Sequence, residues 1–362
     1  MIPFFDYQPY YVEHQVEIDA AIARVLASGQ LILGPEVSQF EKAFASYTGA
    51  SYGIGVNSGT DALTLALRTL GIGPGDEVIT VANTAVPTVA AIRAVVALPK
   101  FADILANSFV MDPESLANLV TDRTKAIVPV HLFGHPAPMN EIMAIASQHD
   151  LRIVEDCAQA HGAHYQGQHV GTLGDIGCFS FYPTKNLGAF GDAGICVTNN
   201  EQSAAQLRQQ RMYGFDGDQH AHCEGLNSRL DEIQAAILSV KLNTLEDNVQ
   251  QRRQLATLYQ AGLRDLDCTL PEESTDVRHA YHLYVIRCPD RNEFTRRLDQ
   301  AEIGWSIHYR LPIHLMEAYQ FLGYQAGDLP VTETAAGEIL SLPIFPELGE
   351  TGIARIVDVL RN

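Results

Sequence analysis

The stretch YGIGVNSGTDALTLALRTLGIGPGDEVITV (residues 52–81) changes its period twice. YGIGV (52–56) reads as a buried strand and TDALTLALRTL (60–70) as a helix stopped by Gly71. EVITV (77–81) is a second strand. The same grammar continues outward. VPTVAAIRAVVA (86–97) and MNEIMAIASQH (139–149) read as helices, and KFADI (100–104), AIVPVHLF (126–133) and LRIVED (151–156) as strands. Strands alternating with helices of about ten residues imply βαβ units: an α/β fold with a mainly parallel sheet covered on both faces. At 174–199 the pattern becomes strand–loop–strand, DIGCFSF, a glycine-rich loop, then GICVTN. The run GIGPGDE (71–77) follows a helix and precedes a strand, the wrong order for a dinucleotide fingerprint.

Upstream, residues 12–28 and 35–47 carry helical spacing, the first through Ile18, Ile22, Val25 and Leu26. Downstream, a helical stretch runs from Asp231 to about Leu266, bent or broken within. HLYVIR (282–287), RNEFTRRLDQ (291–300) and GWSIHY (304–309) then read as strand, helix and strand. We expect a large α/β domain over residues 1–245, including the N-terminal helical segment, and a smaller α+β domain over 246–362.

With 24 Lys and Arg against 43 Asp and Glu, the net charge is −19, which argues against nucleic acid or an anionic membrane as partner. A phosphorylated small molecule needs only a local nest of donors and stays admissible. The six cysteines form no C-x-x-C and no dense framework, as expected of free thiols in a reducing compartment. The start MIPFFDYQPYYVEHQ is unlike a signal peptide, and no apolar run suffices to span a membrane. A cytoplasmic protein is expected.

Three segments carry chemistry. Asn57-Ser58-Gly59-Thr60-Asp61 joins a strand end to a helix start, where free N–H groups and small hydroxyls cradle phosphate or simply cap the helix. LRIVEDCAQAHG (151–162) ends a strand in Glu155-Asp156, placing an acid where parallel sheets build sites, with Gln159 three residues on. SFYPTKNLGAFGDAG (180–194) holds a single lysine, Lys185, among apolar residues and glycines, so it is expected in a pocket as a readily neutralised nucleophile. His131, His135, His161 and His164 have ligand-like spacing, but not on one helix face. Structural histidines and no metal are expected. No G-x-S-x-G or H-E-x-x-H is present. A phosphate cradle, a strand-end acid and a buried lysine together are what pyridoxal phosphate requires.

ILGPEVSQFEKAFASYTGA, VNSGTDAL, VPVHLFGHPAPM, IVEDCAQAHGA, GDIGCFSFYPTKNLGAFGDAG, GLNSRLDEIQAAIL and LSLPIFPEL occur in the order of the DegT/DnrJ/EryC1/StrS family of pyridoxal phosphate-dependent sugar aminotransferases, which the chain resembles over nearly its whole length. The resemblance implies fold type I and a homodimer with shared active sites. By it, Lys185 is the catalytic lysine that binds the aldehyde as a Schiff base, and Asp156 partners the pyridine nitrogen. Gln159 lies near the ring hydroxyl. Gly59, Thr60 and Ser180 are phosphate ligands, and Asn227 is one supplied by the other subunit. A lysine at 185 also separates aminotransferases from a dehydratase branch that carries histidine.

The loop YPTKNLGAFGDAG and the segment HYRLPIHLMEAY (308–319) are similar to the subgroup that aminates C3 of a 3-keto-6-deoxyhexose carried on dTDP. That implies L-glutamate as amino donor, a keto sugar nucleotide as acceptor, and a role in deoxyamino sugar biosynthesis for O-antigen or other surface polysaccharide. C4 amination is the alternative; a lyase or dehydratase and a non-catalytic binder stand further off. Ala85 replaces the usual ring-stacking aromatic, and Arg310 stands where the subgroup has proline. The segment 213–227 lacks the lysine and tyrosine often seen there. Arg211, Arg229 and Arg310 are candidates to meet the substrate's diphosphate or to form structural ion pairs.

Overall fold

The computed structural model describes residues 1–217 and 219–362; Asp218, within the segment 213–227, lies outside them. Three helices lead in: α1 (Gln8–Glu13), α2 (Gln15–Ser28) and α3 (Pro35–Thr48). The helix expected over 12–28 therefore starts earlier and is divided at His14, whose backbone (φ −106°, ψ 19°) leaves the helical region. Leu26 is 59% exposed; the buried face of α2 runs through Ile18, Ala21 and Val25.

Strands and helices then alternate: β1 (Tyr52–Val56), α4 (Gly59–Thr69), β2 (Glu77–Val81), α5 (Val86–Ala94), β3 (Leu98–Ala102), α6 (Pro113–Leu119), β4 (Thr124–Ile127), α7 (Met139–His149) and β5 (Arg152–Asp156). After a short hairpin, β6 (His164–Tyr165) and β7 (Gln168–His169), come β8 (Ile176–Ser180), β9 (Gly194–Thr198), α8 (Glu201–Gln210), α9 (Glu232–Leu242) and α10 (Leu245–Leu263). The long helix is thus two, parted at Asn243–Thr244. β4 stops short of the expected 133 because Pro129 has no N–H to donate; beyond it Val130 makes only a single bridge to Asp156.

The main sheet has seven strands in the order β1-β9-β8-β5-β4-β2-β3. Six run parallel, and β9 alone is reversed, pairing antiparallel with β1 and β8. The reversal follows from the connection. The thirteen residues 181–193 contain no crossover helix, so β9 can only fold back beside β8. Side chains of alternating strand residues bury on opposite faces. Ile54, Val56, Val154 and Ile176 pack beneath α4, α5 and α8. Ile153, Phe179 and Ile195 pack with Phe40 and Phe44 of α3.

Glycine matters where α4 meets the β8–β9 pair. A Cβ at Gly59 would lie 2.6 Å from the Ser180 Cβ, and one at Gly194 would lie 2.4 Å from the Ser58 carbonyl carbon. Only glycine lets the helix start approach this closely.

The remaining elements are β10 (Val277–Arg278), β11 (Tyr284–Arg287), α11 (Arg291–Gln300), α12 (Pro330–Glu338), β12 (Ile339–Leu342) and α13 (Gly349–Arg361). β11 and β12 pair antiparallel; GWSIHY, expected as a strand, contributes only a bridge from Ser306 to Ser341. A separate core gathers Tyr259 and Leu263 of α10 with Tyr284, Ile286, Leu298, Leu340, Ile353 and Ile356. Leu245 and Val249, at the start of α10, belong to the large core instead. We propose that the division between residues 245 and 246 separates the two units, with the first turns of α10 docked on the larger one. Among the described residues no helix is long and apolar enough to cross a membrane.

One buried side chain ties α3 to α9. Glu232 accepts from the N–H groups of Gly34 (2.8 Å), Glu36 (3.0 Å) and Val37 (2.9 Å), capping a helix whose own N-cap, Gly34, has no side chain to do so. Glu232→Ala strands these donors in the core. We expect a loss of about 2–5 kcal/mol in urea unfolding, the upper part reflecting bonds to a charged acceptor. A loss within 0.5 kcal/mol, the range of an ordinary surface change, would mean that the donors find water.

Candidate active site

The parallel strands bring their carboxyl ends to one edge, and there a cavity of about 320 Å³ is lined from several of them. After β1 come Ser58, Gly59 and Thr60; after β2, Thr84, Ala85 and Thr88; from β5, Asp156, Ala158 and Gln159; from β8, Ser180, Tyr182 and Lys185. Gly59, Thr60, Asp156, Gln159, Ser180 and Lys185, widely separated along the chain, therefore share one cavity. A larger open groove of about 690 Å³ lies elsewhere, but its carboxylates Glu141, Glu272, Glu273 and Asp276 would repel a phosphorylated ligand.

One end of the cavity is the start of α4. Ser58 caps the helix by accepting from the Asp61 N–H (3.1 Å), so the N–H groups of Gly59 and Thr60 are left without intrahelical partners, at the positive end of the helix dipole. Ser58 capping therefore leaves the first N–H groups of α4 free, so the cap does not exclude a phosphate at this helix start.

Asp156 closes the opposite wall, 4% exposed. Its Oδ2 accepts from Thr88 Oγ1 (2.8 Å) and its Oδ1 from the Ala158 N–H (3.1 Å). Thr84 Oγ1 lies 3.0 Å from Thr88 Oγ1; since Thr88 donates to Asp156, Thr84 is the donor to Thr88. Burial pushes the Asp156 pKa above the usual carboxylate range; the Thr88 and Ala158 bonds, then the Lys185 charge, oppose it. Neither threonine was singled out from sequence. Their signal is a pair of hydroxyls four residues apart in a strand-to-helix turn.

Lys185 sits in the β8–β9 loop, its N–H held by the Tyr182 carbonyl (2.9 Å). Its side chain keeps some surface open to the cavity, yet burial lowers its pKa to about 8, with Asp156 opposing the fall. The neutral amine fraction therefore grows as pH rises through about 8, well below the ~10.4 of a solvated lysine. In cofactor-free protein, acylation of Lys185 by an amine-selective reagent should rise with a midpoint near pH 8. Mass mapping of the labelled peptide tests this; a midpoint above 10 contradicts it.

Gln159 is fixed at both ends. Its Oε1 accepts from the Phe133 N–H (2.7 Å) and its Nε2 donates to the Tyr309 hydroxyl (2.9 Å), bringing the C-terminal unit to the cavity wall. Tyr309 was also missed from sequence; burial raises its pKa to about 12. Ala85 lines the cavity as the N-cap of α5, and Tyr182, 52% exposed, is the aromatic side chain in the lining. Asn227 lies away from this chain's cavity, exposed on the surface and bridged to Met212. Arg211 is structural, paired with Glu41 and donating to the Gly55 carbonyl (2.8 Å). Arg229 lies 5.8 Å from the Tyr213 ring centre, and Arg310 is exposed.

His131, Glu155 and Cys157 bring potential ligand atoms within 4.8 Å of one another. His131 Nδ1, however, accepts from the Ala137 N–H, which places the ring proton on Nε2 for Glu155 (2.9 Å). Glu155 also accepts from the N–H groups of Gly171, Leu173 and Gly174, so its oxygens are committed. His161 is buried among Phe44, Phe179 and Phe181, where burial drives its pKa down to about 3.

A helix N-terminus free of side-chain bulk, an amine of lowered pKa and a buried carboxylate fit a phosphorylated, cationic-ring aldehyde: pyridoxal phosphate. Comparison with known proteins agrees. Residues 12–361 match the DegT/DnrJ/EryC1/StrS aminotransferase family. The chain is 44% identical over 358 residues to the dTDP-3-amino-3,4,6-trideoxy-alpha-D-glucose transaminase of Micromonospora megalomicea subsp. nigra, covering 97% of this chain and 96% of that one. It is also 44% identical to the dTDP-3-amino-3,6-dideoxy-alpha-D-galactopyranose transaminase of Aneurinibacillus thermoaerophilus, with 100% and 99% covered. The crystal structure of S. venezuelae DesV in complex with a ketimine intermediate superposes with a TM-score of 0.98 at 43% identity, covering 99% of this chain and 97% of that one. The chain belongs to the DegT/DnrJ/EryC1/StrS family of pyridoxal phosphate-dependent aminotransferases.

Proposed function

We propose that this enzyme transfers the amino group of L-glutamate to C3 of a dTDP-linked 3-keto-6-deoxyhexose, giving a dTDP-3-amino-3,6-dideoxyhexose. The observation that carries the chemistry is the shared cavity of Lys185, Asp156 and the α4 N-terminus. The choice of substrate is supported by the two relatives, whose names place the amine at position 3 of a dTDP sugar. The loop after Lys185 adds a physical reason, since it sets where the amine sits and so which sugar carbon can approach.

Pyridoxal phosphate, when bound, supplies an electrophilic carbon and a ring that takes up the electron pair of a broken C–H bond. The chain's residues do the rest. The N–H groups of Gly59 and Thr60, with the Ser180 hydroxyl, hold the phosphate. Asp156, already accepting from Thr88 and Ala158, offers its remaining acceptor capacity to the protonated ring nitrogen. Gln159, braced by Tyr309, would lie beside the ring hydroxyl. The Lys185 amine would carry a proton between the substrate carbon and the cofactor, general acid–base work worth ~10²–10⁴ in rate.

Asn227 of the partner subunit completes the phosphate site, which makes the active species a homodimer, and we place it in the cytoplasm. The test is incubation with L-glutamate and dTDP-3-keto-6-deoxyhexose, with NMR assignment of the product. An amine on C3 supports the proposal and one on C4 overturns it. An active monomer in sedimentation at micromolar concentration would remove the shared-site assignment.

A further inference from the structure

Beside β11, Thr269 and Arg287 form an antiparallel bridge and exchange both backbone hydrogen bonds, each 2.9 Å. The next residues along are Cys268 and Cys288, opposite each other. Next to a doubly bonded pair, an antiparallel ladder places a non-hydrogen-bonded pair, whose Cα atoms approach to ~4.5 Å with side chains on one face. The backbone agrees: the Cys268 N–H goes to the Leu266 carbonyl and the Cys288 N–H to that of Glu338. A separation of ~4.5 Å lies within the ~4.4–6.8 Å span of disulfide-linked residues. Each thiol is a neighbour close enough to perturb the titration of the other.

The two sulfurs are not equivalent. Cys268 is half-buried and Cys288 is fully buried. The neighbouring Cys288 thiol holds the Cys268 thiol below its usual pKa, while the Cys268 thiol and burial raise that of Cys288. Cys268 is therefore the nucleophile that solvent reaches, and Cys288 the resolving thiol behind it. Cys178 and Cys196 provide the contrast. They are also directly opposed, on β8 and β9, but at 1% and 0% exposure no oxidant reaches either.

We infer that Cys268 and Cys288 form a dithiol–disulfide site, a covalent modification point on the C-terminal unit that a small-molecule disulfide such as oxidised glutathione closes. The Cys268 thiolate attacks one sulfur of the oxidant, forming a mixed disulfide and releasing one glutathione thiolate. Cys288, losing its proton, then attacks the Cys268 sulfur and releases the second. The protein loses two electrons and two protons, and one glutathione disulfide becomes two glutathiones.

The bridge would close the segment 269–287, which packs against the loop that carries Lys185: the Ala280 carbonyl accepts from the Asn186 side chain (3.0 Å), and the Ala280 N–H donates to the Gly134 carbonyl (2.9 Å). Closing this loop restricts the unfolded chain and should raise the thermal midpoint of the holoenzyme by a few degrees.

The experiment exposes folded holoenzyme to excess oxidised glutathione, quenches with acid, and reads intact mass and disulfide-linked peptides. The expected product has lost two hydrogens and contains a single linkage, Cys268 to Cys288. Cys288→Ser should instead accumulate one glutathione on Cys268, and Cys268→Ser should accumulate neither adduct nor bridge. Cys178→Ser should still form the bridge. Retention of all six thiols, a linkage through other cysteines, or no adduct on Cys268 in Cys288→Ser would each overturn the inference.

Discussion

Lys185→Ala should fold, retain pyridoxal phosphate by non-covalent contacts, and lose kcat by about 10²–10⁴-fold. The loss follows from the proposed role, since among the described residues no other lysine lines the cavity. The fold should survive because the tie of this residue to its surroundings is its backbone N–H on the Tyr182 carbonyl, which alanine keeps. The sign of the stability change is also fixed. A lysine whose pKa falls from ~10.4 unfolded to about 8 folded binds fewer protons in the native state across that window. It therefore costs stability below about pH 8, a cost that disappears as pH rises towards 10.4. Removing it should leave the urea midpoint at pH 7 unchanged or higher. Adding methylamine should restore part of the rate, because the missing group is an amine and the space for it is vacant. Near-normal transamination by the variant, or an unfolded chain, would contradict the assignment.

Much of this site was legible because each part is local. A strand, a turn and a helix N-terminus follow one another within 52–69, and an apolar run ends in its acid within five residues of β5. What sequence did not reveal is held together over long separations. Thr88 reaches Asp156 across 68 residues, Gln159 reaches Tyr309 across 150, and Glu232 caps α3 across more than 190. No periodicity encodes such pairs. Element ends failed for a different reason. β4 is cut by the missing donor of Pro129, and the helix expected over 12–28 is divided at His14 by a backbone turn that no glycine or proline announces. For Arg211 the choice between substrate contact and ion pair depended on Glu41, a residue of α3 that buries beside it.

Asp156→Asn should bind cofactor and fold, yet slow both half-reactions by about 10²–10³-fold, the range for removing one preorganised electrostatic partner of a developing charge. Asp156 is an acceptor on both oxygens, from Thr88 and from Ala158. Asparagine has one acceptor and one donor end. The Ala158 N–H is fixed by the backbone, so the amide oxygen must face it, and the Nδ2 group then meets Thr88. The Thr88 hydroxyl can rotate to accept from Nδ2 and donate to Thr84 Oγ1, 3.0 Å away, which keeps the Thr88 hydroxyl and the facing amide N–H paired. The relay through the two threonines thus lets the variant fold while erasing the negative charge. Without that charge a protonated ring nitrogen is no longer favoured, and the ring draws electrons less strongly. Thr88→Val separates charge from geometry: it leaves the carboxylate but removes its donor, and should cost about 1.5–3 kcal/mol of barrier, as the loss of one bond to a charged group does. Stopped-flow rates of the glutathione-free holoenzyme with glutamate, and of its aminated form with the keto sugar nucleotide, provide the measurement. Asp156→Asn rates equal to wild type in either half-reaction would show that the ring nitrogen is served by another group.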